Sequence, residues 1–161
     1  PEPRVVRIMP NTPSLIGKGM AGICKGTHAT DDDLEFAGEV LGAVGEVVTV
    51  PESQMDAVTA LTGSGPAYVF LMIESLIEAA QKHGFSERQA TKMILQMVRG
   101  AAELAHGSSV PPSRLRKNVT SPGGTTASGL AVLEDRQFRE MIQACVDAAE
   151  KRGKELAQGK G

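Results

Sequence analysis

Aromatic residues are scarce in this sequence: it has no tryptophan, one tyrosine and four phenylalanines among 161 residues. A hydrophobic core therefore has to be built from Leu, Ile, Val, Met and Ala side chains. Cysteine is scarce as well, since only Cys24 and Cys145 are present. Two cysteines make neither a zinc site nor a disulfide framework, so we expect both to be buried small apolar side chains in a reducing cytoplasm.

An excess of charge of one sign is also missing. The 17 Lys and Arg residues are balanced by 19 Asp and Glu, which gives a net charge of −2. A chain without an excess of Lys and Arg is not expected to bind the phosphate backbone of nucleic acid. The longest uninterrupted apolar run, Ala67 to Ile73, is too short to span a bilayer. Nucleic acid and membrane are therefore not expected as partners.

The length suits one domain, or one domain with part of another. Because the sequence opens with Pro1-Glu2-Pro3 rather than with Met, we expect a fragment of a longer protein.

The first 50 residues predict strands and one helix. The strands are expected at Val5–Met9, Gly19–Cys24 and Glu46–Val50, where β-branched residues cluster between turn residues. Thr30 is a candidate N-cap because three aspartates follow it and an apolar helical stripe comes next. Strand, strand, helix and strand in this order are typical of the closing part of an α/β layer.

After Pro51 the pattern is helical. A short helix is expected from Gln54 to Leu61, interrupted at Gly63–Pro66, and a helix that is apolar on most sides follows to His83. Further helices are expected at Ser86–Ala105, Ser113–Asn118, Thr126–Leu133 and Gln137–Leu156. A helix with so little polar surface favours an oligomer, because about 110 residues bury it poorly alone.

Three polar features are candidates for chemistry. The glycine run Gly17–Gly22 satisfies G-x-G-x-x-G, but it lacks the helix that must follow, so we reject it as a dinucleotide site. The Thr120–Thr126 run joins hydroxyls to two glycines at a helix start, which is either a carboxylate or phosphate site or an ordinary capped loop. Glu52 either orients a cationic ligand or is a solvated cap. The three histidines show no metal-ligand spacing, so no metal is expected.

Three longer motifs carry a resemblance to a known family. They are Val5–Pro13 (VVRIMPNTP), Asp56–Tyr68 (DAVTALTGSGPAY) and Asn118–Thr126 (NVTSPGGTT). Together they resemble pyrroline-5-carboxylate reductase, and the similarity runs from about Arg4 to Leu156. The second and third motifs are specific because each fixes many small residues in order.

The resemblance implies a mainly helical fold with a small β part. Residues 1–51 would be the end of a Rossmann nucleotide-binding domain, and residues 52–161 a helical domain that interleaves with a second copy in a homodimer or a larger ring. It implies hydride transfer from NADPH or NADH to the imine carbon of 1-pyrroline-5-carboxylate, giving L-proline.

The resemblance also implies roles for seven residues. Thr126 would be catalytic, with its hydroxyl beside the ring nitrogen. The other implied positions are Glu52, Ser121, Gly124 and Thr125 in the substrate site, and Asn118 and Asn11 at the nicotinamide end of the cofactor. A protonated imine is suited to a hydroxyl partner and a nearby carboxylate. The loop supplies N–H and O–H donors for the substrate carboxylate without a cationic side chain.

One departure from the family is the absence of its opening strand, glycine-rich turn and helix from these 161 residues. We therefore expect a fragment that dimerises and keeps much of the substrate site but binds NADPH poorly. A non-catalytic helical dimerisation module is the alternative. A hydroxyacid-type dehydrogenase ranks lower, because Lys82 and Lys92 do not lie in the required catalytic motif.

Overall fold

The computed structural model describes residues 2–159. The fold is mainly helical with one small three-stranded sheet, which confirms the predicted fold class. The chain forms two compact units. The first comprises residues 2–68 together with 142–159, and the second comprises residues 69–141.

The sheet belongs to the first unit. Its strands are β1 (Val6–Met9), β2 (Gly19–Lys25) and β3 (Gly45–Thr49). β2 lies in the middle, antiparallel to β1 and parallel to β3. All three predicted strands are confirmed, with ends that differ by about one residue. The central strand holds much of the core, because Ala21, Ile23 and Cys24 on it are all buried.

Helix α1 (Asp31–Gly42) connects β2 to β3 and begins as predicted. Thr30 Oγ1 accepts from the Asp33 N–H at 3.3 Å, and the Asp33 carboxylate accepts from the Thr30 N–H at 2.8 Å. This reciprocal pair satisfies two backbone donors that the first helical turn leaves without partners.

The remaining α-helices follow β3. They are α2 (Met55–Val58), α3 (Gly65–Lys82), α4 (Glu87–Gly107), α5 (Pro112–Asn118), α6 (Thr125–Asp135) and α7 (Phe138–Ala157). The predicted capping box before α4 is present, since Ser86 and Gln89 bond to each other's backbone N–H groups. Helices α3 to α7 lie where the sequence pattern predicts them.

The interruption predicted at Gly63–Pro66 is present as a distortion: Ser64 forms a bend, and α3 begins at Gly65 with Pro66 in its first turn. Short helical turns fill the interval from Glu52 to α3: a 3-10 turn at Glu52–Gln54, then α2, then a π-helical turn at Thr59–Gly63. In the π-turn the Ser64 N–H donates to the Thr59 carbonyl at 2.8 Å, five residues earlier. The segment before α3 is therefore helical but irregular, with the π-turn and the bend at Ser64 in place of a loop.

The core is aliphatic, as the composition predicts. Met55 and Val58 of α2 are buried together with Ala60. Gly22 of β2 lets α2 approach closely, because a Cβ atom at that position would lie 2.5 Å from Val58 Cγ1. The prediction for Cys145 is only partly right: this side chain is half-buried, whereas Cys24 is buried.

Many apolar side chains on the helices remain exposed. No residue of α3 is buried, and Phe70 and Leu71 are 56% and 64% exposed. Within residues 2–159, one helical stretch, Glu52–Lys82, is long and apolar enough by length and composition to cross a membrane. Core helices of soluble proteins can have the same length and composition, so this feature alone is weak evidence for a membrane span.

Candidate functional site

The loop between α5 and α6 is shaped by its two glycines. Gly123 adopts φ +68°, in the left-handed region that glycine occupies without strain. The Gly124 N–H donates to the Ser121 carbonyl at 3.1 Å, which closes a tight turn. A Cβ atom on Gly124 would lie 2.5 Å from Ser121 Oγ, so only glycine fits there without displacing the serine.

Helix α6 begins directly at this turn. Gly124 is its N-cap, and the Gly124 carbonyl accepts from the Ser128 N–H at 3.1 Å. The N–H groups of the first turn have no acceptor inside the helix. Together with the helix dipole they favour a negatively charged group at this end.

The hydroxyl groups of the loop are accessible. Ser121, Thr125 and Thr126 are exposed, and so is Asn118 at the end of α5. Among the described residues no hydrogen bond engages the hydroxyls of Thr125 and Thr126. The five residues predicted between 118 and 126 thus lie along one short segment: Asn118 ends α5, Ser121 and Gly124 lie in the loop, and Thr125 and Thr126 begin α6.

A cleft of about 490 Å³ adjoins one side of this loop, between α5 and α6. Its lining residues are Ser113, Arg116, Lys117, Thr120, Ser121, Pro122, Ala127, Leu130, Ala131 and Glu134. Arg139, and then Arg116, hold the pKa of the Glu134 carboxyl below its usual range. Thr125 and Thr126 do not line this cleft.

Glu52 lies in the first unit, at the start of the 3-10 turn after β3. Its carboxylate accepts from Cys24 Sγ at 2.9 Å and from the Arg7 guanidinium. Hydrogen bonds from Cys24, and then from Arg7, lower the pKa of Glu52. Burial, followed by the hydrogen bond to Glu52, raises the pKa of Cys24 to about 11. Glu52 is therefore an anion at neutral pH, and Cys24 is a protonated donor.

Asn11, also in the first unit, is engaged at both ends of its carboxamide. Nδ2 donates to the Thr62 carbonyl at 3.0 Å, and Oδ1 accepts from the Met20 N–H at 2.9 Å. An asparagine carboxamide has two N–H groups and two acceptor lone pairs. The Asn11 carboxamide thus keeps one N–H donor and one oxygen lone pair that these two hydrogen bonds do not use.

Arg7 and Cys24 were not singled out as functional from the sequence, although both contact Glu52. The available signal is strand register: Arg7 pairs with Cys24 across β1 and β2, so their side chains share one face of the sheet. The sequence predicts both strands, but their relative register depends on pairing between segments that are 17 residues apart in the numbering.

The glycine run Gly17–Gly22 lacks the helix that a dinucleotide site needs after its glycines. Gly17 closes the 3-10 turn Thr12–Ile16, and the run from Gly19 onward belongs to β2. A Cβ atom at Gly19 would collide with Ser14, and one at Gly22 with Val58, so the packing of the fold accounts for these two glycines. Among residues 2–159 no group of three or more His, Cys, Asp or Glu side chains is arranged to hold a metal ion.

The helical region defines the class of protein. Residues 52–156 match the family model described as pyrroline-5-carboxylate reductase dimerisation, so this is a helical dimerisation domain together with a small sheet. The chain belongs to the pyrroline-5-carboxylate reductase family.

Characterised relatives agree with this assignment. The chain is 46% identical over 158 residues to pyrroline-5-carboxylate reductase of Synechocystis sp., covering 98% of this chain and 59% of that protein. It is 42% identical to pyrroline-5-carboxylate reductase 2 of Bacillus subtilis, covering 96% and 55%. The chain thus spans somewhat more than half the length of the curated relatives it matches.

Solved structures show the same fold. The enzyme of Plasmodium falciparum, solved with NADP bound, matches with a TM-score of 0.90 at 37% identity, covering 96% of this chain and 62% of that one. A pyrroline-5-carboxylate reductase from Coxiella burnetii matches with a TM-score of 0.91 at 42% identity, covering 95% and 57%.

Proposed function

We propose that this chain provides the substrate-binding and dimerisation part of a pyrroline-5-carboxylate reductase. The reaction is hydride transfer from NADPH or NADH to the imine carbon of 1-pyrroline-5-carboxylate, which yields L-proline in proline biosynthesis. The observation that carries the proposal is the loop before α6, where exposed hydroxyls and unpaired helix N–H groups converge. Relatives at 46% and 42% identity bear the name of this enzyme.

The substrate carboxylate is assigned to the turn between Ser121 and Thr125. Ser121 offers a hydroxyl, Gly124 lets the backbone come close, and Thr125 adds a hydroxyl in the first turn of α6. Backbone and hydroxyl donors at a helix N-terminus bind an anion without a lysine or arginine.

The imine nitrogen is assigned to Thr126, and a separate contact with the substrate ring is assigned to Glu52. The reactive form is the protonated imine, whose carbon accepts the hydride while its nitrogen keeps the proton, so the product is the secondary amine of proline. The Thr126 hydroxyl accepts a hydrogen bond from that N–H. The Glu52 carboxylate, ionised at neutral pH because Cys24 and Arg7 lower its pKa, stabilises the positive charge of the ring. Most of the acceleration comes from holding the reacting atoms in contact geometry.

The cofactor supplies the hydride when it is bound. Asn118 and Asn11 are assigned to its nicotinamide end, where a carboxamide suits an amide side chain. Asn11 fits this role with the one N–H and the one lone pair that its bonds to Thr62 and Met20 leave over. The run Gly17–Gly22 lies in a turn and in β2, with no helix N-terminus after it to hold a pyrophosphate. The relative from Plasmodium falciparum was solved with NADP bound.

The partner is a second copy of this chain, and larger assemblies of dimers are a further expectation. Support comes from the exposed apolar side chains of α3 and from the family model, which is described as dimerisation. The match starts at residue 52, which supports a division into 1–51, the end of a nucleotide-binding domain, and 52–161, the helical domain. We assign the protein to the cytoplasm, with neither nucleic acid nor membrane as partner.

The test combines turnover with binding. NADPH oxidation is measured with 1-pyrroline-5-carboxylate, and L-proline binding is followed by chemical-shift changes at the amides of residues 121–126. Because we expect the chain to bind NADPH poorly, its turnover should be slow. That turnover and L-proline binding are both expected to fall in Thr126→Ala and to stay at the parent's level in Ser75→Ala, which removes an exposed hydroxyl that bonds its own helix. Sedimentation analysis is expected to show a dimer.

The outcomes separate the alternatives. L-proline binding without turnover would support the assigned substrate site and would show that this chain alone does not catalyse the reaction. A dimer with neither turnover nor L-proline binding overturns the reductase proposal in favour of a non-catalytic dimerisation module. A monomer overturns the assignment of the partner.

A further inference from the structure

The carboxylate of Glu52 is held at both oxygens. Cys24 Sγ donates to Oε2 at 2.9 Å, and Arg7 Nη1 donates to Oε1. The two donors come from neighbouring strands, because Arg7 and Cys24 are register partners in β1 and β2. A side chain that is fixed at both oxygens by two strands has little freedom to change rotamer.

The same carboxylate remains open on another side. The Glu52 side chain is 60% exposed, whereas Cys24 beneath it is 2% exposed. Each carboxylate oxygen has a second lone pair that one hydrogen bond leaves available. Glu52 is thus anchored from the sheet side and accessible from the solvent side, as a group that faces a ligand must be.

We propose that Arg7 and Cys24 are positioning residues, which hold the Glu52 carboxylate in place and in its ionised form to face the cationic ring of the substrate and product. This rests on the proposed function, since it needs Glu52 to face that ring. Neither residue touches the substrate itself, and both act through Glu52.

The charges around Glu52 support this role. Hydrogen bonds to a carboxylate favour its ionised form, and the pKa of Glu52 is lowered by Cys24 first and by Arg7 next. Asp56 of α2 faces the same guanidinium, with Oδ1 3.9 Å from Arg7 Nη2. Lys154 of α7 acts electrostatically on Asp56. The ion pair of Lys154 is with Glu150. Arg7 is shared between two carboxylates, Glu52 and Asp56.

The buried thiol adds a donor without adding charge. Burial, and then the hydrogen bond to Glu52, raises the pKa of Cys24 to about 11, so the S–H stays protonated through the neutral range. Arg7 then offsets the charge of Glu52, and Cys24 fixes its orientation.

The experiment compares variants that remove or retain each donor. Cys24→Ala and Arg7→Met remove one, whereas Cys24→Ser and Arg7→Lys retain a donor of similar reach. Lys25→Met is the matched control, because Lys25 is next to Cys24 on β2 and its ion pair is with Asp31. Each variant is first checked for a native-like amide NMR spectrum.

Two readouts are taken on every variant. The first is the pKa of the Glu52 carboxyl group, titrated by carbon-detected NMR. The second is the pH dependence of the Kd of L-proline, together with KM and kcat for 1-pyrroline-5-carboxylate. We expect Cys24→Ala and Arg7→Met to raise the pKa of Glu52 and to weaken L-proline binding about tenfold. The fall of affinity at acidic pH should begin at a higher pH, by the same amount as the pKa.

The conservative variants should restore most of the affinity, and Lys25→Met should change neither readout. If the pKa of Glu52 is unchanged in Cys24→Ala and Arg7→Met, the positioning role is overturned at its first step. If that pKa rises while L-proline affinity and KM stay constant, the contact is real but Glu52 does not face the ring. In that case the positioning proposal fails because Glu52 does not have the substrate-binding role assigned to it under the proposed function.

Discussion

Asn11 supplies to the Thr62 carbonyl a hydrogen bond that the helix itself cannot make. In a regular α-helix this carbonyl accepts from the N–H four residues later, but residue 66 is proline and has no N–H. Asn11 Nδ2 donates instead, at 3.0 Å. The Ala60 carbonyl is served in a similar way by the Tyr68 hydroxyl at 3.3 Å, because the Ser64 N–H bonds to Thr59 within the π-turn.

Removing the Asn11 carboxamide should therefore destabilise the fold. Asn11→Ala leaves the half-buried Thr62 carbonyl and Met20 N–H without their partner, and we expect a loss of about 1–3 kcal/mol in the free energy of unfolding. Urea denaturation measures it. Gln143→Ala, which deletes an exposed amide bonded to Asp147, is the control and should stay within about 0.5 kcal/mol. Equal effects in the two variants would contradict the special role of Asn11.

The partnership between Asn11 and Pro66 predicts non-additive stability changes. Pro66→Ala restores an N–H four residues after Thr62, so the Thr62 carbonyl again has a possible donor in the helix. We expect the cost of Asn11→Ala to be smaller in the Pro66→Ala background by about 0.5–1.5 kcal/mol. A double-mutant cycle in urea gives this difference. Additive costs would show that Asn11 stabilises the fold only through Met20.

The capping box of α1 predicts a dependence of stability on pH. Hydrogen bonds from the Thr30 backbone and hydroxyl lower the pKa of Asp33 from 3.8. A lowered folded-state pKa stabilises the fold above the unfolded-state pKa, and this stabilisation is lost as pH falls through the folded-state value. The stability difference between the parent chain and Asp33→Asn should thus be constant above about pH 5 and shrink towards pH 2. A constant difference down to about pH 2 would contradict the shifted pKa.

The close approach of α2 to β2 predicts opposite signs for two Gly→Ala changes. At Gly22 the new methyl group would lie 2.5 Å from Val58 Cγ1, so we expect a destabilisation of about 1–3 kcal/mol. Gly42, at the end of α1, has nothing within 4 Å, and Gly42→Ala should stabilise by about 0.4–1 kcal/mol. Thermal unfolding distinguishes the two. A tolerated Gly22→Ala would mean that the helix and strand can separate.

The turn before α6 predicts a glycine requirement for binding. Gly124→Ala would place a methyl group 2.5 Å from Ser121 Oγ and displace the hydroxyl assigned to the substrate carboxylate. We expect the Kd of L-proline to rise about tenfold or more. Gly129→Ala, in the middle of α6 with nothing within 4 Å, should leave it unchanged. Binding that survives Gly124→Ala would move the carboxylate away from Ser121.

Local sequence signals predicted most of the secondary structure. The Thr30 and Ser86 caps lie where the pattern expects them, because a helix N-terminus is specified by residues three positions apart. The Asn118–Thr126 loop was also identified from sequence, since its hydroxyls, glycines and helix start are contiguous in the chain. Features encoded within a few consecutive residues need no tertiary information to be identified.

Features that depend on distant segments were missed or only partly predicted. The sequence suggested a helix break at Gly63–Pro66, because glycine and proline lack the propensity and the donor that a helix needs. Tertiary structure supplies that donor from Asn11, 51 residues before Thr62, and only a bend at Ser64 separates the π-turn from α3. Similarly, the sequence predicted no partner within the chain for Glu52, because only strand pairing brings Arg7 and Cys24 to its carboxylate. The sequence by itself determined which segments are helices and strands and where the polar loop lies. The tertiary structure decided which carbonyls and carboxylates found partners, because those partners come from other segments of the chain.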